Sequence, residues 1–180
     1  MRACDRALED LYVAFHVENP VVSVMLTVGD PTDFRYFLPR ILEIQRDSGV
    51  FGWPSIEVIF GHLRRADWQS WPSREVAALI CFSHAVFEGL LNSEEHNGDA
   101  IDSWMCAFGR AGMDVQPFLK RLFEPQYRTK FIQYYEKNSS KLIRGRLSNA
   151  FWDNRVPMQE IVSWFQSEEV QNAIFEAYGL

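Results

Sequence analysis

Apolar residues recur along the chain at intervals of three and four residues, which places them on one face of a helix. The pattern is clearest after Asp30 and Pro31, a typical helix start, and continues until about Gly49. Pro39 lies inside this stretch and predicts a kink or a restart. The same spacing begins again near residues 5, 56, 73, 99, 115, 127, 143, 158 and 170. The pattern predicts an all-α fold of about nine or ten short antiparallel helices, stacked as hairpins in a solenoid-like arrangement.

Three stretches depart from this simple amphipathic pattern. The residues from Val76 to Phe82 are apolar on every side and the apolar pattern runs on to Leu91, which predicts a central helix buried all round. Val21 to Val28 is β-branched but has no second run to pair with, so it is either a buried helical turn or an extended connector. The longest polar linker is the loop at 92–99. We therefore predict a single helical domain over residues 1–180, with a hinge at 92–99.

The helical stripes also predict which side chains form the core. These residues are Phe34, Phe37, Leu38, Ile41, Leu79, Ile80, Phe87, Leu119, Leu122, Ile143, Leu147, Ile161 and Phe165.

Composition supports a globular domain in a reducing compartment. Apolar residues make up 47% of the chain and charged residues 23%, close to the globular average. The net charge of −6 disfavours generic binding of nucleic acid. The three cysteines are widely spaced and form no CxxC pair, which is typical of the cytosol. Neither a signal peptide nor an uninterrupted run of about 20 apolar residues is found, so we expect a cytoplasmic protein without a membrane span.

The stretch from Asp10 to Glu43 resembles small bacterial helical proteins to which no activity is assigned, and Asp33 to Glu43 corresponds to their core motif, DDFRxFLPRxLE. The segment from Trp71 to Val76 also fits those proteins. The resemblance covers about a third of the chain. It implies a bacterial cytosolic helical protein, and it carries over no metal site, because Cys4 stands alone where some of those proteins have several cysteines. The matching residues are Gly29, Asp33, Phe34, Arg35, Tyr36, Phe37, Leu38, Pro39, Arg40, Ile41, Leu42 and Glu43.

No arrangement of residues predicts catalysis or a cofactor. Cys81 and His84 have the i, i+3 spacing of a thiolate–imidazole pair, but Cys81 lies in an apolar stretch where a buried thiol is inert. Cys106 is likewise predicted to be a core residue. His84 and Glu88 could share a metal ion, yet a hydrogen bond between them explains the pair better, since a closed metal site needs about four ligands. We predict no catalytic, cofactor-binding or metal-binding residue.

One candidate binding surface lies at the carboxyl end of the helix predicted to begin near residue 56. It contains Arg64, Arg65, Trp68 and Trp71, and arginine and tryptophan are enriched at binding hot spots. The alternative interpretation is structural: the arginines complement the carboxyl end of the helix and the tryptophans pack against the next helix.

The second candidate surface is a basic segment, residues 120–146. This segment contains eight basic and two acidic residues, a net charge of +6, so the rest of the chain carries −12. Tyr127, Phe131 and Tyr134 share one helical stripe and are predicted to point into the core. The cations should then form an exposed positive face. We assign that face to Arg128, Lys130, Lys137 and Lys141.

These observations predict a non-enzymatic protein-binding module of the adaptor or immunity type. The favoured partner is another protein, attracted by the basic face. One alternative is a binder of nucleic acid or of a phosphate ligand through residues 120–146. A second alternative is an enzyme that lacks a recognisable motif. Nucleic acid is the less favoured partner because the acidic remainder repels phosphate.

Overall fold

The computed structural model describes residues 31–48, 55–152 and 156–179. Within these ranges the protein is all-α and contains no strand, as the periodicity predicts. Two short 3-10 turns, Trp68–Ser70 and Pro125–Tyr127, interrupt the connections. The helices are α1 (Pro31–Ser48), α2 (Ile56–Arg65), α3 (Ser73–Asn92), α4 (Gly98–Ala111), α5 (Gln116–Leu122), α6 (Arg128–Leu142), α7 (Val156–Phe165) and α8 (Glu168–Tyr178).

The described ranges contain eight α-helices, so the predicted count of nine or ten is too high for them. The helix predicted near residue 5 and the stretch Val21 to Val28 lie outside the described residues. The chain divides into two compact units, Met1–Gly89 and Leu90–Leu180. The division falls within α3, a few residues before the loop at 92–99.

In the first unit, α1 begins at Pro31, with Asp33 in its first turn and Pro39 inside the helix. Proline fits the first helical position because its missing N–H would be unpaired there in any case. Leu38 and Leu42 are fully buried. The other predicted core residues of this helix are only half-buried; they are Phe34, Phe37 and Ile41.

An ion pair links α1 to the amino end of α3. Arg35 donates from Nε and Nη2 to the carboxylate of Glu75, at 2.6 and 2.7 Å, and Glu75 is buried. The same guanidinium lies 5.5 Å from the centre of the Trp71 ring. Such bidentate pairing is stronger than a simple surface contact. The structure thus joins side chains from the two stretches that carry the resemblance, and gives them a packing role.

The prediction of a helix buried all round is wrong for α3. Leu79, Phe82 and Phe87 are buried, but an opposite face is exposed. That face has Ala77, Ile80, Cys81 and His84 at i, i+3, i+4 and i+7. Ile80 is 41% exposed and the Cys81 thiol is exposed too, so both were wrongly placed in the core. An all-apolar stretch carries no signal for which of its sides meets the rest of the protein.

In the second unit, α4 packs closely against α6. Gly98 makes this possible, because a Cβ at that position would lie 2.6 Å from the carbonyl carbon of Gln133. Beyond this approach, Asn138 of α6 is fully buried and donates to Asp102 of α4. Cys106 is buried, as predicted. Phe108 of α4 stacks on Phe118 of α5 with ring centres 4.3 Å apart.

The helix predicted over residues 143–151 is absent. α6 continues through Ser139 and Ser140, ends at Leu142 and is followed by a turn in which Gly145 has a φ of +65°. Left-handed backbone ends a helix and favours glycine. The Asn138 side chain then accepts a hydrogen bond from the backbone N–H of Ser148 at 2.7 Å, which holds the following segment. Leu147 is buried as predicted, but Ile143 is 90% exposed and is not a core residue.

Candidate binding surface at the carboxyl end of the basic helix

The aromatic residues of the basic segment point into the core, as predicted. Tyr127 is 7% exposed, Phe131 is 2% exposed and Tyr134 is fully buried. The Tyr134 hydroxyl has no hydrogen-bond partner. Burial raises the pKa of Tyr134 well above its ordinary value, and the nearby Asp102 and Cys106 raise it further. Residues 127–134 therefore present no aromatic ring on which a nucleic-acid base would stack.

Two of the predicted face cations are used inside the second unit. Nζ of Lys130 donates to the carbonyl oxygen of Ser93 at 2.7 Å and to that of His96. Lys130 is half-buried as a result, so it is not an exposed cation as predicted, and burial lowers its pKa. Lys137 is exposed, as predicted, but it forms an ion pair with Asp99, and this hydrogen bond raises its pKa. Both lysines thus hold the loop at 92–99 against α6.

Other cations of the segment remain exposed. Arg128 lies at the amino end of α6. Three more lie together at the carboxyl end of α6 and in the turn that follows, and we call them the cation cluster: Lys141, Arg144 and Arg146. Within the described ranges, none of the three is paired with a carboxylate. A helix carboxyl end carries partial negative charge, which one cation suffices to complement.

A surface groove of about 370 Å³ lies beside this cluster, between α6, the end of α7 and the start of α8. The Tyr178 hydroxyl of α8 donates to Oε1 of Glu136 in α6 at 2.9 Å, and Gln171 of α8 lines the groove. α6 and α8 therefore both contribute side chains to it. The groove is lined by Tyr135, Ser139, Leu142, Ile143, Phe165, Gln166 and Gln171.

The chemistry of this lining is that of recognition. It combines apolar side chains with amide and hydroxyl groups and contains no carboxylate, imidazole or thiol. Gln171 Nε2 already donates to the carbonyl oxygen of Phe165 at 2.6 Å. A ligand here would be held by apolar contact and by hydrogen bonds to the amide and hydroxyl groups of the lining. In the part of the chain that the structure describes, no group of three or more His, Cys, Asp or Glu residues is placed to hold a metal ion.

The other candidate surface is divided between exposed and buried residues. Arg64 and Arg65 are exposed at the end of α2. Trp68 is 3% exposed, so its side chain is buried and cannot contact a binding partner. Trp71 is half-buried, and its indole N–H donates to the carbonyl oxygen of Ala66 at 3.0 Å. The tryptophans thus pack against their own unit, which leaves two arginines as the exposed part of this surface.

Sequence reasoning missed Ile143 and the groove. Ile143 and Leu147 have the i, i+4 spacing of a buried stripe, which placed Ile143 in the core. The available signal was Gly145, a residue suited to the left-handed turn that ends α6 and turns Ile143 outward.

A scan against protein-family models, a search of curated proteins and a search of solved structures found no match to the chain. The resemblance of residues 10–43 and 71–76 to small bacterial proteins therefore stays a prediction.

α3 has a second notable property. Among the described residues it is the helix whose length, 20 residues, and mean hydropathy, 1.3, would allow it to span a membrane. Half of its most apolar window is buried inside the protein. The core helix of a water-soluble protein has the same properties, so the cytoplasmic location also stays a prediction.

Proposed function

We propose that this chain is a non-enzymatic protein-binding module of the bacterial cytosol, of the adaptor or immunity type. The observation that carries the proposal is the cation cluster: Lys141, Arg144 and Arg146 are exposed, while Tyr127, Phe131 and Tyr134 of the same segment are buried. Exposed cations attract an acidic protein surface and speed its association. The short connections between helices, such as the two residues between α7 and α8, support a stacked-hairpin architecture as part of the same proposal.

The burial of the aromatic residues favours protein over nucleic acid as the partner. Proteins that bind single strands stack bases on exposed rings, and Tyr127, Phe131 and Tyr134 are buried. The acidic remainder of the chain, at −12, repels an extended polyphosphate but tolerates a local acidic patch on a protein.

The proposal is tested by affinity capture with charge-reversed variants. The immobilised chain should retain a specific acidic protein from a bacterial lysate at about 150 mM salt and release it near 1 M, where screening extends to about 3 Å. Reversal at two cluster positions, Lys141→Glu with Arg146→Glu, should abolish retention. Arg64→Glu with Arg65→Glu is an equal charge change on the other candidate surface; it should leave retention unchanged, and a loss of retention with it would assign the partner to that surface instead.

Two results would contradict this function. Equal retention by the cluster variant and by the wild type would show that the cations do not bind the partner. A gel shift of mixed oligonucleotides, abolished by the same variant, would instead support binding of nucleic acid.

A further inference from the structure

The groove between α6 and α8 is bordered by exposed apolar side chains on both helices. Ile143 projects at the carboxyl end of α6 with 90% of its surface exposed. On α8, Phe175 and Tyr178 are 48% and 49% exposed, and with Gln171 they follow the i, i+4, i+7 spacing of one stripe. Exposed large apolar residues that cluster around a groove mark an interaction site, whereas single ones need no explanation.

Opposite charges lie near the two borders of the groove, in addition to Glu136 of α6, whose carboxylate accepts the hydrogen bond of Tyr178. Arg144 follows Ile143 on the α6 side. Glu168 is in the first turn of α8 and lies three residues before Gln171, which places it on the groove stripe. Both residues are exposed, and neither forms an ion pair within the described part of the chain. A partner of one charge would therefore be attracted by one border and repelled by the other.

We propose that the occupant of this groove is a second copy of the chain, bound across a two-fold axis. A two-fold interface brings the same patch together from both subunits. The basic border of each copy then faces the acidic border of the other, and each groove receives the Ile143 side chain of its partner. The patch thus offers a projecting apolar side chain, a recess for one and complementary charges, each of them used twice.

This dimer goes beyond the proposed function and shares one residue with it, Arg144 of the cation cluster. The two proposals are tested by different variants: Lys141→Glu with Arg146→Glu tests the protein partner, whereas Ile143→Ser and Glu168→Arg test the dimer. Failure of one leaves the other standing.

The first test is sedimentation equilibrium of the full chain. We expect a dimer with a dissociation constant of about 1–10 μM, within the range of modest interfaces. Ile143→Ser should weaken dimerisation at least about tenfold, because the interface loses a buried apolar anchor from both sides. The substitution is at a 90% exposed position, so an unchanged melting temperature verifies that the variant folds.

The second test exchanges the charges. Arg144→Glu alone creates two acid–acid contacts in the dimer, and Glu168→Arg alone creates two base–base contacts, so each variant should dimerise about tenfold more weakly. An equimolar mixture of the two restores both attractive pairs and should recover wild-type affinity as a heterodimer. Glu169→Arg is the matched control, since this exposed neighbour lies about 100° away around α8 and should have little effect.

Three outcomes would overturn the dimer. The wild type could remain monomeric throughout the concentration range, or Ile143→Ser could dimerise as tightly as the wild type. The charge-exchanged mixture could also associate no better than either variant alone. A monomeric wild type that retains a captured protein only when Ile143 is present would assign the groove to a different partner.

Discussion

Two groups of cations on and after α6 carry the same charge and are used differently. Lys130 donates to two carbonyl groups of the loop at 92–99, and Lys137 pairs with Asp99. Both lysines therefore stabilise contacts within the second unit. Lys141, Arg144 and Arg146 follow Lys137 within nine residues, yet within the described ranges none of them forms an ion pair. The difference shows that a basic run is not one surface, because the neighbouring elements decide which cations stay available to a partner.

The largest loss of stability should come from a substitution that disrupts the close contact between Gly98 and α6, which brings the loop at 92–99 to that helix. Gly98→Ala places a methyl group 2.6 Å from the carbonyl carbon of Gln133, and backbone cannot yield as a side chain can. We expect a loss of about 3 kcal/mol in stability, seen as a fall of roughly 6–12 °C in melting temperature.

The control for this substitution is Gly89→Ala in α3. A Cβ at Gly89 would meet no atom within 4 Å, so alanine should raise stability by about 0.5–1 kcal/mol through its better helix propensity. Equal melting temperatures for the two variants would show that Gly98 is not a packing requirement.

A direct comparison of the two groups of cations is the pair Lys130→Met and Lys141→Met. The first removes hydrogen bonds from a charged donor to two carbonyl groups and should cost about 2 kcal/mol. The second removes an exposed charge and should stay within about 0.5 kcal/mol. Denaturant unfolding measures both differences, and a Lys130 variant as stable as the Lys141 variant would contradict the structural role of Lys130.

The smallest effect concerns a buried hydroxyl on the inner side of α6. Tyr134→Phe removes a hydroxyl that has no hydrogen-bond partner, and we expect a gain of about 1 kcal/mol. The control Tyr127→Phe should instead lose stability, because the Tyr127 hydroxyl accepts hydrogen bonds from Asn92 and Arg121. A gain with both variants would argue against unpaired burial as the cause.

The stability gained by Tyr134→Phe should also depend on pH. The pKa of Tyr134 is raised well above its ordinary value in the folded protein, while the unfolded chain loses this proton near pH 10. Above that pH the unfolded state binds fewer protons, so stability falls as pH rises. The advantage of Tyr134→Phe over the wild type should therefore be larger at pH 11 than at pH 8. An advantage that stays constant between these pH values would show that Tyr134 titrates alike in both states.

Most of the helical framework follows from local patterns. The helix starts expected near residues 30, 56, 73, 99, 115, 127, 158 and 170 lie within two residues of those observed at 31, 56, 73, 98, 116, 128, 156 and 168. Proline position, first-turn acids and apolar spacing act within one or two helical turns, so the local sequence is enough to predict where a helix starts. The inward direction of Tyr127, Phe131 and Tyr134 follows for the same reason.

The failures arise where a distant residue decides. Ile143 has core-like spacing, but Asn138 binds the N–H of Ser148 and a left-handed Gly145 ends the helix before Ile143 can join the stripe. Ile80 and Cys81 are as apolar in context as Leu79 and Phe82, yet only the latter pair is buried. Apolar spacing specifies a helix but not which of several apolar sides meets a neighbour.

The amino-acid sequence was sufficient for the all-α class, for most helix starts and for the inward-facing aromatic residues of α6, because these depend on interactions between residues three or four apart. Only the tertiary structure showed that Lys130 is used by a loop some 34 residues earlier in the chain and that Ile143 borders a groove between α6 and α8. Such contacts depend on how separate helices pack. The local sequence around a residue does not determine which distant part of the backbone will lie beside it.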